Sequence, residues 1–142
     1  MPAASYAVTI DRPVEAVFAF VADGENARQW RPGVLDIKRV SGDGVGARYA
    51  QGVQGPMKRR IAADYVITAY EPTHLLEFQT TTGPARPHGR YDFAAVAGGT
   101  RLTFALDAQL KGLWKFIMGS AVQTTMNAEV KNLDNLKRLL EA

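Results

Sequence analysis

The chain has 142 residues, 46% of them hydrophobic and 22% charged, with a formal net charge of +3 and no cysteine. That balance fits one globular domain, spanning 1–142, with enough length to bury a core. It excludes a disordered chain, a disulfide framework, a thiolate metal site and a cysteine nucleophile. Basic residues are scattered except for Lys58-Arg59-Arg60, which reads as a solvated strand start or turn, so no basic stripe points to nucleic acid.

Met1 to Tyr6 carries no basic segment followed by an apolar run, so no secretory leader is expected and a cytoplasmic location is the economical reading. No apolar run is long enough to span a bilayer. Ala7–Ile10 is a short β-branched run and predicts the first strand. Asp11-Arg12-Pro13 stops it; Asp11 suits a helix cap and Pro13 a first turn. Val14, Val17, Phe18 and Val21 then recur at helical spacing, so Pro13–Ala22 is expected to be a short amphipathic helix. Asn26–Trp30 reads as a second helical piece, ended by Arg31-Pro32-Gly33.

From Val34 the period changes to two. Strands are expected at Val34–Val40, Ala47–Gln54, Arg59–Tyr70, Leu75–Thr82, His88–Val96 and Thr100–Ala108, separated by Gly-, Pro- and Asp-rich turns as in an antiparallel meander. Gly42-Asp43-Gly44-Val45-Gly46 precedes a strand and not a helix, so it reads as a turn and not as a phosphate-binding loop. The closing segment, Gly112–Leu140, predicts one helix about 40 Å long. Leu113, Ile117, Ala121, Met126, Leu133, Leu136 and Leu140 supply its apolar stripe. Gly119 inside it is a candidate bend.

The sheet has one long helix and two small ones to cover it, so it must curve and can enclose space. Gly46, Gly52, Gly55 and Gly89 are available for that curvature. Alternation puts Ile61, Ala63, Tyr65, Ile67 and Ala69 on one face, with Leu76, Phe78 and Thr80, then Tyr91 and Phe93, then Leu102, Phe104 and Leu106. The other faces carry Asp64, Thr68, Glu77, Gln79, Arg90, Asp92, Arg101 and Thr103, the pattern of a sheet with one wet side. Two readings fit the inward set. One is plain packing of large residues against small. The other is an apolar pocket with a few placed polar groups, Tyr65, Thr80 and Tyr91.

Catalytic signatures are sparse. His74 and His88 read as surface residues, and no HExxH or His-x-His spacing exists, so no metal is expected. Gly119-Ser120 sits in a predicted helix and not at a nucleophile elbow. The inward list contains no carboxylate. Tyr65 and Tyr91 are the catalytic candidates that remain, with Arg28 and Arg31 near the mouth.

Several stretches resemble the START-like (SRPBCC) superfamily, and within it the bacterial polyketide cyclase/dehydrase and lipid-transport-like members. They are Ile10–Phe18, Asp23, Trp30–Val34, Gly42–Gly46, Ile67–Pro72, Gly99–Thr103 and Leu133–Glu141, which run along nearly the whole chain. The resemblance implies an α+β helix-grip fold: strand, two short helices, six strands, and a curved seven-stranded antiparallel sheet wrapped around a long C-terminal helix. It also implies a hydrophobic cavity lined by Phe18, Trp30, Tyr65, Phe78, Tyr91, Phe93, Phe104, Ile117, Met118 and Ala121, with Trp30 near the mouth.

The functional expectation is a carrier or sequestering protein for a small hydrophobic molecule such as a lipid, polyketide or aromatic metabolite, as a monomer or homodimer and without a cofactor. One alternative is a polyketide cyclase or aromatase, cyclase/dehydratase-like, using the same cavity. Another is an accessory protein acting through a partner surface around Trp114 and Phe116. The amphipathic, basic stretch Leu110–Met118 reads as the front of the long helix, with transient membrane contact as its alternative; stable insertion is not expected.

Overall fold

The computed structural model describes residues 2–83, 85–110 and 112–142, and of residues 56 and 113–118 the backbone alone. The chain runs through β1 (Ala3–Ile10), α1 (Val14–Ala22), a 3-10 turn at Gly24–Gln29, β2 (Val34–Ser41) and β3 (Arg48–Gln54). Then come a tight 3-10 turn at Pro56–Lys58, β4 (Arg60–Ala62), β5 (Tyr65–Glu71), β6 (Leu75–Thr80), β7 (His88–Val96) and β8 (Gly99–Asp107). It ends in α2 (Leu113–Val130) and α3 (Leu133–Glu141).

All strand pairs are antiparallel. The order across the sheet is β1-β8-β7-β6-β5-β3-β2, with β4 pairing β3 off this path. The fold is therefore the α+β helix-grip arrangement of seven principal strands. It departs from a plain meander, because β1 pairs with β8, from Ala3 opposite Asp107 to Ile10 opposite Thr100. The expected first strand thus begins at Ala3, four residues early, because its partner continues to Asp107.

Curvature comes from irregular pairing. The β2–β3 register shifts at Val34/Asp36 and at Arg39/Ser41, and the β5–β6 register shifts at Ile67/Ala69. Such shifts bend the bulged strand and raise its twist. Gly89 lies opposite Phe78 in the β6–β7 ladder, and a Cβ there would collide with the Phe78 ring. The glycine lets that ring lie flat across the neighbouring strand.

Three sequence expectations are corrected. The run 59–70 is not one strand: it divides at Ala63-Asp64, where the Asp64 carboxylate accepts the Gln51 N–H at 3.0 Å. A side-chain acceptor there replaces a ladder carbonyl. Asp11 does not cap α1, which starts at Pro13 without a side-chain cap; the Asp11 N–H instead donates to Glu141 at 2.8 Å. The C-terminal segment is helical through Gly119 but is not one helix. It breaks at Lys131-Asn132, where the Asn132 and Asp134 N–H groups donate to the carbonyls of Glu129 and Lys131, three residues back. The tighter i→i−3 bonding ends one helix and starts the next.

α2 packs on β1 and β8, and α3 on β1. The buried stripe runs through Val122, Met126, Val130, Leu133 and Leu136, whereas Ala121 is exposed. A residue step turns a helix by about 100°, so a stripe passing through Val122 leaves Ala121 on its flank. Ile10, Val17, Leu102, Leu133 and Leu136 have no exposed surface. α3 is also tied by polar contacts: Lys137 Nζ donates to the Thr9 carbonyl at 2.6 Å, Arg12 to the Leu140 carbonyl at 3.1 Å, and the Tyr6 hydroxyl to Asp134 at 2.9 Å.

Leu136→Ala is expected to cost about 2–5 kcal/mol by loss of burial and cavity formation. Leu139→Ala, on the exposed side of the same helix, should stay within about 0.5 kcal/mol. Urea unfolding of the two variants checks the phase of the stripe.

Candidate functional site

The concave face of the sheet presents a continuous wall of rings. Tyr49 stacks on Tyr65 with centroids 4.9 Å apart, Tyr65 meets Phe78 at 5.2 Å, and Tyr91 stacks on Phe104 at 4.2 Å. Phe78 stands between these pairs, 6.3 Å from Tyr91 and 6.4 Å from Phe104. Phe93 continues the wall to Phe18 of α1 at 4.9 Å. Antiparallel register puts these residues in line: Tyr65 faces Thr80, Phe78 faces Gly89, and Tyr91 faces Phe104. Offset and tilted pairs of this kind contribute about 0.5–1.5 kcal/mol each beyond the area they bury.

A polar cluster sits against that wall. The Arg31 side chain, 14% exposed, forms an ion pair through Nε with Glu129 of α2, which is 21% exposed. Arg31 Nη1 donates to Gln51 Oε1 at 3.1 Å, and Gln51 Nε2 donates to the Ala63 carbonyl at 3.0 Å. Burial works against the Arg31 charge, but Glu129 and the facing phenols Tyr91 and Tyr65 outweigh it and raise the guanidinium pKa. The same geometry acts on the phenols. Burial pushes the pKa of Tyr65 and Tyr91 well above the ordinary tyrosine value, and Arg31 offsets only part of that rise. Both hydroxyls therefore keep their protons well into the alkaline range.

Gly24 fixes the far end of this arrangement. A Cβ at Gly24 would collide with Tyr65 Oη and with Tyr49 Cε2, and its N–H donates to Tyr49 Oη at 3.3 Å. The absent side chain lets two stacked phenols reach the turn after α1.

Among the expected lining residues, Phe18, Trp30, Tyr65, Thr80, Tyr91, Phe93 and Phe104 are buried, and Phe78 is half-buried. Trp30 is packed in the core, and its carbonyl accepts from Asn135 of α3 at 3.1 Å. Ala121 lies on the exposed side of α2, and the side chains of Ile117 and Met118 are outside the described residues, as are those of Trp114 and Phe116. Of the two arginines expected near the mouth, Arg28 is exposed and only Arg31 turns inward. His74 is exposed, and half-buried His88 lies between Glu77 at 2.8 Å and Asp107 at 3.3 Å on the outer face. Among the described residues no group of His, Asp and Glu is arranged to hold a metal ion, and no helix is long and apolar enough to cross a membrane.

Sequence reasoning missed Gln51, Tyr49 and Glu129. Tyr49 and Gln51 alternate on the inward face of β3, so their spacing carried the signal. Glu129 stands three residues after Met126 and four before Leu133, a lone carboxylate within an apolar stripe, which is a detectable anomaly.

The family model for polyketide cyclase / dehydrase and lipid transport matches residues 1–141. The chain belongs to this family. Comparison with curated proteins finds no match. Among solved structures, the family fold recurs in TTHA0849 from Thermus thermophilus, 20% identical with a TM-score of 0.83 over 98% of this chain and 97% of that one. It recurs in a START superfamily protein from Mycobacterium smegmatis, at 15% identity and TM-score 0.72 over 98% of this chain and 94% of that one. The di-domain ARO/CYC protein StfQ from the steffimycin biosynthetic pathway is 13% identical, with a TM-score of 0.82. That match covers 98% of this chain and 50% of StfQ, so this family member corresponds to about half of the di-domain chain.

The raised phenol pKa values have a consequence at alkaline pH. The unfolded chain releases tyrosine protons above pH ~10, while the folded state retains those of Tyr65 and Tyr91. Stability should therefore fall as the pH rises past that point. Phenolate absorbance followed with far-UV circular dichroism should show a late component that appears only on unfolding. The Tyr65→Phe/Tyr91→Phe double variant should show a smaller one, since burial also raises Tyr49.

Proposed function

We propose that the protein binds a small hydrophobic molecule, a lipid, polyketide or aromatic metabolite, between the concave face of its sheet and α2, and serves as its carrier or sequestering protein. The observation that carries this reading is the ring wall from Tyr49 to Phe18, interrupted by a single compact polar cluster. Binding sites for small apolar molecules are concave, mostly apolar, and oriented by a few polar groups. Membership of a family described by lipid transport and polyketide cyclisation supports the same ligand class. The proposed contacts are Phe18, Trp30, Tyr65, Phe78, Thr80, Tyr91, Phe93 and Phe104, with Ile117 and Met118 on the helix side. A cytoplasmic location and a monomeric or homodimeric state accompany this proposal.

One observation favours a second reading, a cyclase/dehydratase-like enzyme. A guanidinium beside two phenols offers charge and donors to carbonyl oxygens of a reactive chain, and the fold is similar to that of proteins named ARO/CYC. Against it, phenols whose pKa is raised give up protons reluctantly, which suits holding a ligand better than acid catalysis.

Native mass spectrometry of freshly purified protein, followed by extraction, is expected to find a stoichiometric apolar ligand. Clean protein that also shows no thermal shift with fatty acids, sterols or polyketide-like aromatics would overturn the proposal. Tyr65→Phe and Tyr91→Phe are each expected to weaken binding by about tenfold or less, the loss of roughly one hydrogen bond. Turnover of an aromatic polyketide mimic that either variant abolishes, with binding intact, would establish the enzyme instead.

A further inference from the structure

The geometry points to the polar end of the ligand. We propose that the molecule bound here carries a carboxylate, which docks on Arg31 in place of Glu129. The inference rests on the reading that the interior takes a hydrophobic molecule.

Arginine stays charged in a protein and cannot escape burial by losing its proton. In this structure its neutralising partner is one carboxylate supplied from 98 residues away. The two halves of the pair are held unequally. Arg31 has a second anchor: Nη1 donates to Gln51 Oε1, and Gln51 is fixed by its own bonds to the Ala63 carbonyl and the Asp64 carboxylate. The Glu129 side chain has Arg31 as its only partner among the described residues, and it keeps a path to solvent at 21% exposure. Glu129 also lies two residues before the break at Lys131-Asn132, and the polar ties of α3 are all beyond that break. Withdrawing Glu129 therefore leaves both the guanidinium and α3 in place.

The exchange is balanced in charge. One carboxylate replaces another, so Arg31 is never left buried without a counter-ion, a state that costs several kcal/mol. A neutral ligand cannot replace Glu129 as the counter-ion of the guanidinium. Arg31 Nη2 has no partner among the described residues, and neither have the Tyr65 and Tyr91 hydroxyls, which the Arg31 charge reaches. These donors suit the remaining lone pairs of a two-oxygen anion, whose charge-assisted bonds are stronger than neutral ones. The ring wall then takes the apolar body.

The test is calorimetric titration at neutral pH with two matched pairs, decanoate against methyl decanoate and 2-naphthoate against its methyl ester. At least one acid is expected to bind about tenfold or more tighter than its ester. Glu129→Gln removes the internal competitor and keeps Arg31, so it should tighten the acid by about tenfold and leave the ester unchanged. Arg31→Gln should erase the preference while ester binding persists. If that variant does not fold, the wild type and Glu129→Gln decide. Esters that bind as well as acids, or a Glu129→Gln variant that binds the acid no tighter, would overturn this proposal and leave the hydrophobic-ligand reading standing. No binding of any of the four probes would overturn this proposal, while the hydrophobic-ligand reading is decided by the native mass spectrum and the wider ligand panel.

Discussion

Pairing of β1 with β8 is the constraint on which the other elements depend. It joins the first strand to the last over eight consecutive residue pairs. Once that ladder exists, the chain leaving β8 emerges beside β1, and α2 and α3 have a surface to lie on. α3 then binds back to β1 through the Lys137–Thr9 bond and to the start of α1 through Arg12 and Asp11. The sheet on the other side, from β7 to β2, is free to curl away from the helix. The ladder thus fixes one wall of the interior and leaves the other to curvature.

On the concave face of the sheet the chemistry is economical. Apolar rings supply most of the surface, and one guanidinium supplies the charge. Its position follows from local sequence: Trp30 fills the core, Pro32 and Gly33 turn the chain into β2, and Arg31 between them can only point inward or out. The inward choice is stabilised by Gln51 on one side and Glu129 on the other. Every fully buried polar side-chain atom among the described residues has a partner. The cluster's weakest member comes from the helix.

The sheet was legible in the sequence because one side of it is wet. Period-two alternation put Leu102, Phe104 and Leu106 on one face and Arg101 and Thr103 on the other, as found. The His88–Val96 strand was readable to its ends, since Pro87 and the Gly98-Gly99 turn bound it. Side-chain competition with the backbone was not legible, which is why the division at Asp64 and the role of Asp11 were misread. The break after α2 carries neither glycine nor proline, and Asn132, a residue type favoured at helix starts, makes no side-chain cap bond there. The candidate site was half legible. Its rings followed from alternation, whereas the Arg31–Glu129 pair joins distant segments and has no period to betray it.

The break between α2 and α3 divides the C-terminal segment into parts with separate obligations. α3 is welded to the closed end by packing and by several polar ties, so its amide hydrogens should exchange only when the whole domain opens. α2 has fewer polar ties to the rest of the fold among the described residues, Gln123 to Ala3 and Glu129 to Arg31. Such a helix can loosen as a local unit at a fraction of the global unfolding free energy. On the proposed function, partial opening of this one helix would give a guest its way in and out while the remainder of the domain stays folded.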